Sequence, residues 1–291
     1  MRVRFWGVRG SIPVPGPQTI RIGGNTACVD ILTSDRQLII LDAGSGIRRL
    51  GQSLETENAR RIVGTLLISH THYDHIQGFP YFRPAFARNN RFVVVGQRRV
   101  GPRLEEVLAR QMIEPYLPFE YKTLSADFHV KEVAHGETIV IGDETRVRAA
   151  DMNHPGGCLG FRIENRGVVV AYCTDTMHAN DQVEPNVLEL ARDADLLIHD
   201  AHFTLQERET FAHWGHSSWL EATRTAREAN VKCLALFHFN PDTTDEYLEN
   251  EILPKARREF AQTILSREGL VLDLPLSDAA QRQLFDSPGR E

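Results

Sequence analysis

The sequence predicts an α/β protein folded as a four-layer αββα sandwich in a single domain. Three observations lead there. Short β-rich runs dominate the first half, each β-rich block is followed by helical patterns, and no linker or low-complexity stretch separates the blocks. Two such blocks give two sheets with helices on their outer faces. The 291 residues, 42% hydrophobic and 25% charged, suffice for a large core and exclude disorder and collagen.

Taken in order, Arg2–Val8 reads as a strand and Ser11–Gly24 as a loop too rich in Pro and Gly for regular structure. Cys28–Thr33 and Gln37–Leu41 read as a hairpin, with a helix beginning near Ser45. Thr65–Ser69 is a buried-type strand that stops at a burst of histidines. Phe92–Val95 is a further strand, and Pro102–Met112 a helix with proline in its first turn. Strands alternate with glycine turns from His129 to Thr174. Then come helix Val187–Ala191, strand Leu196–His199, helix Trp219–Ala229, strand Cys233–Phe237 and helix Tyr247–Phe260. Leu270–Leu274 is placed to close a sheet. The domain is expected to span residues 1–275, with 79–124 a surface insertion and 276–291 a polar tail that frays.

Lys and Arg number 33 against 39 Asp and Glu, a formal net charge of −6. That balance argues against a broad basic face wrapped along nucleic acid. The four cysteines, Cys28, Cys158, Cys173 and Cys233, lie far apart, as suits reduced thiols. The apolar runs are only strand-length and no signal segment opens the chain, so a cytoplasmic protein without a membrane span is expected.

The chemistry concentrates in Ser69-His70-Thr71-His72-Tyr73-Asp74-His75, where an apolar strand stops. Residues two apart in extended chain point the same way, so His70 and His72 converge, and Asp74 and His75 reach a neighbouring point as the chain turns. Imidazole and carboxylate are ligands for zinc, manganese or iron. His154, Asp175 and His238 each follow a strand-like run, where loops present groups on a rigid frame. Together these seven residues suffice for two metals sharing one carboxylate. Gly44-Ser45-Gly46 is no dinucleotide fingerprint, since Arg49 stands where a third glycine belongs.

The H-x-H-x-D-H run and Leu41-Asp42-Ala43-Gly44-Ser45-Gly46 resemble the metallo-β-lactamase superfamily, nearly end to end. The resemblance implies that fold, with Asp42 supporting the metal histidines. It assigns His70, His72 and His154 to one metal, Asp74, His75 and His238 to the other, and Asp175 to the bridge. Asp175 stands where true β-lactamases of the group carry Cys or Ser, and His72 argues against the flavin-di-iron branch. Trp214-Gly215-His216-Ser217-Ser218 and Ile198-His199-Asp200-Ala201 resemble the tRNase Z-like phosphodiesterases, in which a carboxylate pairs with a histidine facing the scissile phosphate. That implies a catalytic set of Asp74, Asp200 and His216.

Arg4–Pro13, Gly23–Thr26 and His154–Gly160 look more like bacterial cyclic-nucleotide phosphodiesterases of that branch. The expected activity is therefore hydrolysis of a cyclic nucleotide to the nucleoside monophosphate by water activated between two divalent ions, Zn²⁺ first, Mn²⁺ or Fe²⁺ otherwise. Asn25, Thr26 and His178 are candidate substrate contacts. A tRNA 3′-end endonuclease is the alternative, disfavoured by Asp200 in place of Glu, by the charge of −6 and by the lack of an evident long basic arm. A metal-stabilised binding protein without turnover is a third reading. The expected partner is a small nucleotide, and the resemblance also suggests a homodimer. Arg98, Arg99 and Arg103 are read as a solvated face rather than a nucleotide trap. Phe79, Tyr81, Phe82 and Tyr116 are read as packing the insertion, with base stacking as their other role.

Overall fold

In the computed structural model, which describes residues 1–57, 61–99, 101–179 and 182–286, two seven-stranded sheets carry the molecule. Strands β1 (Arg2–Gly7), β2 (Cys28–Leu32), β3 (Leu38–Leu41), β4 (Val63–Leu67), β5 (Arg91–Gln97) and β6 (Asp127–Val133) lie side by side in chain order. The second sheet starts with β7 (Thr138–Ile141), β8 (Thr145–Met152), β9 (Cys158–Asn165) and β10 (Val168–Cys173). It continues through β11 (Leu196–Asp200), β12 (Leu234–Phe237) and β13 (Thr263–Leu265), again in chain order. Strand β14 (Val271–Asp273) returns to the first sheet and pairs antiparallel with β1, closing that edge as the sequence indicates.

Both halves switch from antiparallel meander to parallel strands: β3 to β6 run parallel in the first sheet, β10 to β13 in the second. Parallel neighbours need crossovers, and these supply the outer layers. Helices α1 (Ile47–Glu57), α2 (Tyr73–Ile76) and α3 (Leu104–Arg110) belong to the first half. Helices α4 (Pro185–Ala191), α5 (Leu205–Thr210) and α6 (Trp219–Glu228) belong to the second. Ser218 opens α6 with a capping box, its hydroxyl receiving the Glu221 amide while Glu221 reaches back. A cap of this kind contributes about 1 kcal/mol.

The period-2 alternation of strands sorts the core into two layers. Ile39, Leu41, Leu67 and Val95 point into the space between the sheets. Leu38, Ile40, Leu66 and Val94 point outward, under α1 and α3. All four residues of β3 are buried, as a strand covered on both faces requires.

Three sequence expectations need adjustment. Within 79–124, read as a surface insertion, Arg91–Gln97 is an inner strand between β4 and β6, and only the segments flanking it are irregular or helical. The expected helix Tyr247–Phe260 runs without a break from Asp245 to Glu259, but with a wider turn over Leu248–Ile252 ahead of Pro254. Part of the 276–291 tail is helical, capped by Ser277, and Leu284 and Phe285 pack on the core. Among the described residues no helix is long and apolar enough to cross a membrane.

Phe237 joins the sheets: its ring lies 6.3 Å from Phe5 and 5.7 Å from Tyr172, and it is fully buried. Phe237→Ala is expected to lower stability by about 3–5 kcal/mol in denaturant unfolding. A loss under about 1 kcal/mol would show that this contact does not hold the sheets together.

Candidate metal centre

The chain turns out of β3, β4, β8, β10, β11 and β12 at their carboxyl ends, and there the polar residues gather. Asp42 follows β3; Ser69 to His75 follow β4; His154, Asp175 and His238 follow β8, β10 and β12; Asp200 ends β11. Open α/β sheets hold ligands at the carboxyl ends of their strands. Asp42, Asp175 and His238 have positive φ values of 59°, 48° and 61°. Non-glycine residues enter that region at a cost of about 1–3 kcal/mol each, and such strain collects at functional sites.

The structure brings the seven predicted ligands together. His154 Nε2 lies 3.2 Å from His72 Nδ1, with His70 in the same group. Asp74 Oδ2 lies 3.0 Å from His238 Nε2 and 3.2 Å from His75 Nε2. Asp175 faces both groups at once. Its Oδ2 is 3.2 and 3.3 Å from His75 and His238, and its Oδ1 is 3.8 Å from both His70 and His154. Donors around an ion with bonds of about 2.0–2.1 Å sit about 3.3 Å apart at tetrahedral angles, close to these separations. His72 is exposed and the others are buried, so the centre opens to solvent on the His72 side.

Several nitrogens meet lone pair to lone pair unless a cation lies between them. His75 Nδ1 donates to Asp42 at 2.8 Å and His154 Nδ1 to the Gly215 carbonyl at 2.9 Å, so in the neutral rings Nε2 carries a bare lone pair. His70 Nε2 is buried with no hydrogen-bond partner. Burial, then the neighbouring charges, lowers the pKa of His70, and burial likewise lowers those of His72 and His154. Neutral imidazoles are the form metals bind. Burial opposes charge at His75, but Asp74, Asp175 and Asp42 outweigh it and raise its pKa. Burial also opposes ionisation of Asp74 and Asp175, and the imidazoles outweigh it and hold both carboxyls below their usual range. Two carboxylates among inward imidazole lone pairs fit a pair of divalent cations.

Asp42 takes four hydrogen bonds: from the Ser69 amide at 2.7 Å, the Ser69 hydroxyl at 2.9 Å, His75 at 2.8 Å and Tyr172 at 2.8 Å. Ser69 and Tyr172 are functional partners that sequence reasoning missed. Only their position, beside the histidine run and at an inward strand site, hinted at them. Gly10 is required on the other wall, since a Cβ there would meet His238 Cε1 at 2.4 Å. The next amide, Ser11, donates to Asp74 at 2.8 Å.

His216 Nδ1 donates to Asp200 at 2.8 Å, and its ring stacks on His202 with centroids 4.3 Å apart. Asp200 is also held by the amides of His202 at 2.9 Å and Thr176 at 3.2 Å. Burial opposes charge on His216, but Asp200 outweighs it, with Asp175 and Asp74 adding to the rise in pKa. Ser218 caps α6, so His216 has no capping duty.

The expected substrate contacts are elsewhere engaged. Asn25 donates to Glu268 at 3.0 Å and accepts from the Ser45 hydroxyl at 2.9 Å. Thr26 is fully buried, and its hydroxyl accepts from the Ser45 amide and the Gln77 side chain. His178 is buried, accepts from the Glu184 amide and stacks on His199 at 5.4 Å; burial, then His199, pushes its pKa down to about 3. These three residues hold loops in place through these bonds.

A family model described as a beta-lactamase superfamily domain matches residues 37–239. Ribonuclease Z of Treponema pallidum is 23% identical over 325 residues, covering 92% of this chain and 96% of its own. Ribonuclease Z of Haloferax volcanii is 24% identical, covering 96% of both chains. The crystal structure of human tRNase Z, short form, matches with a TM-score of 0.67 at 20% identity, over 95% of this chain and 100% of that one.

These relatives overturn the expected cyclic-nucleotide hydrolase, and with it the low standing of tRNA as a partner. Apart from His154 and the Gly10–Ser11 turn, the stretches that suggested a cyclic nucleotide hold scaffold contacts. Arg4 pairs with Asp30, Arg9 is buried on Asp245, Gly23 packs on Glu268, and the Gly157 carbonyl accepts from Arg99.

If Asp175 joins the two ligand groups, Asp175→Ala will lose at least one metal equivalent by elemental analysis. Retention of two equivalents would remove it from the ligand set.

Proposed function

The chain belongs to the metallo-β-lactamase superfamily, a hydrolase family, and to its tRNase Z-like branch; from that premise we propose that it is a tRNA 3′-end processing endonuclease. The observation that carries this reading is the Asp200–His216 pair, 2.8 Å apart beside seven convergent ligands, in a chain that aligns with ribonuclease Z over nearly its whole length. His70, His72 and His154 would hold one metal and Asp74, His75 and His238 the other, with Asp175 shared; zinc suits this donor set best. When bound, two divalent ions supply Lewis acidity that activates water and neutralises charge on the phosphate's free oxygens.

The protein's own groups do the rest. The leaving ribose oxygen needs a proton, because an unprotonated alkoxide departs slowly. With Nδ1 bonded to Asp200, His216 keeps Nε2 for the substrate. Asp200 raises its pKa, which favours the protonated ring. Asp200, itself held by the His202 and Thr176 amides, fixes the ring's orientation. His202 stacks on His216 and donates from Nδ1 to the His238 carbonyl at 3.0 Å, so the acid and one ligand share a support. The charge of −6 is compatible with a tRNA substrate if contact is confined to the rim of the site.

The deciding experiment incubates metal-loaded protein with a precursor tRNA carrying a 3′ trailer. Endonucleolytic release of the trailer is expected, and an intact precursor alongside an active phosphodiesterase would refute the assignment. His216→Ala is expected to cut turnover by about 10²–10⁴ with metal content unchanged. Unaltered turnover would take His216 out of the mechanism.

A further inference from the structure

A groove of 540 Å³ begins at Thr71 and Tyr73, inside the ligand run itself, and extends between α2 and α3 to Tyr81, Arg110 and Tyr116. Its volume lies within the roughly 300–1,000 Å³ of pockets that receive small organic groups. Three tyrosines face it while remaining 73%, 51% and 76% exposed at Tyr73, Tyr81 and Tyr116. Large aromatic rings left in water beside a reactive centre are unlike Phe79 and Phe82 of the same stretch, which are fully buried. These five aromatics thus divide into two that pack and three that do not.

We propose that Tyr73, Tyr81 and Tyr116, with Arg110, form a stacking subsite for the unpaired nucleotides flanking the scissile bond. This rests on the RNA-cleaving function proposed above. Aromatic faces receive any unpaired base, whereas a base inside a duplex has both faces covered. Tyr73 lies between His72 and Asp74 in the chain and lines the groove with Thr71, so this end of the groove starts on the ligand run. His72, the exposed ligand, puts the open side of the centre at this same end. Arg110 lines the groove, its guanidinium paired at 3.5 Å with the exposed Glu106, and is placed to meet a backbone phosphate. At the inner end Arg99 donates to the Thr71 hydroxyl at 3.0 Å and to the Gly157 carbonyl at 2.9 Å, tying the histidine run to the His154 loop. These bonds link the chain at one end of the groove to the loop that carries His154. The subsite selects single-stranded RNA beside the cleavage point without reading its sequence.

The test compares wild-type protein with the triple variants Tyr73→Ala/Tyr81→Ala/Tyr116→Ala and Tyr73→Phe/Tyr81→Phe/Tyr116→Phe, all full-length and metal-loaded. The readouts are kcat/KM on a precursor tRNA with an unpaired trailer, kcat/KM on bis(4-nitrophenyl) phosphate, and the Kd of a labelled unpaired oligoribonucleotide by fluorescence anisotropy. In the alanine variant the selectivity for RNA over the aryl ester should fall about tenfold or more, with a matching rise in Kd. The phenylalanine variant keeps its rings and should keep both. RNA cleavage by the wild type with unchanged selectivity and Kd in the alanine variant would overturn the subsite alone. Equal losses on both substrates would also overturn it, as damage to the centre. A wild type that hydrolyses the aryl ester but cuts no RNA would remove the RNA-cleaving function, and the subsite with it.

Discussion

A single buried carboxylate organises the centre. Asp42 is fully buried and receives hydrogen bonds from Ser69, His75 and Tyr172, which lie on two different parts of the chain, the run after β4 and strand β10. Tyr172 belongs to the second sheet and Asp42 to the first, so this bond also sets how the carboxyl ends of the two sheets meet. An unpartnered buried carboxylate is strongly unfavourable, so all of these donors must be in place before the chain accepts Asp42 there. Orientation of His75 follows from that requirement. The centre is preorganised by the fold, and the inward lone pairs of His75 and His154 result from where the second nitrogen of each of those two rings is bound.

The parallel register explains how residues so distant in sequence become neighbours. Cys173 pairs with His199, and Asp200 with Phe237, so Asp175, Asp200 and His238 emerge from adjacent strands at one level. Alternation within β3 and β4 then separates what packs between the sheets from what packs outside them. The helices contribute little chemistry of their own. They cover the outer faces and, through α2 and α3, shape one approach to the centre.

Much of this was legible in the sequence, for physical reasons. His70, His72, Asp74 and His75 are local, and period-2 geometry alone makes them converge. His154, Asp175 and His238 were legible because each follows a recognisable apolar run. Asn25, Thr26 and His178 were misread because their partners, Glu268, Ser45 and Glu184, declare themselves only once the chain is folded. Tyr172 went unseen for the same reason, its partner lying 130 residues away. Strand Thr263–Leu265 is too short to show a period, and Phe92–Val95 read as a strand while its Pro- and Arg-rich neighbours concealed that it lies inside the sheet. Preference between substrates was the least legible, because most of the residues that suggested a cyclic nucleotide turned out to brace loops.

The left-handed backbone at Asp42, Asp175 and His238 sets a limit on redesign. Glycine would adopt that backbone at any of the three without strain. At Asp42 it would also remove the acceptor shared by Ser69, His75 and Tyr172, so there the strained backbone is held by the hydrogen bonds it makes possible. At Asp175 and His238 a laboratory selection for heat resistance alone would favour the relaxed backbone over the polar groups of the centre. Robustness and chemistry pull against each other at those two α-carbons.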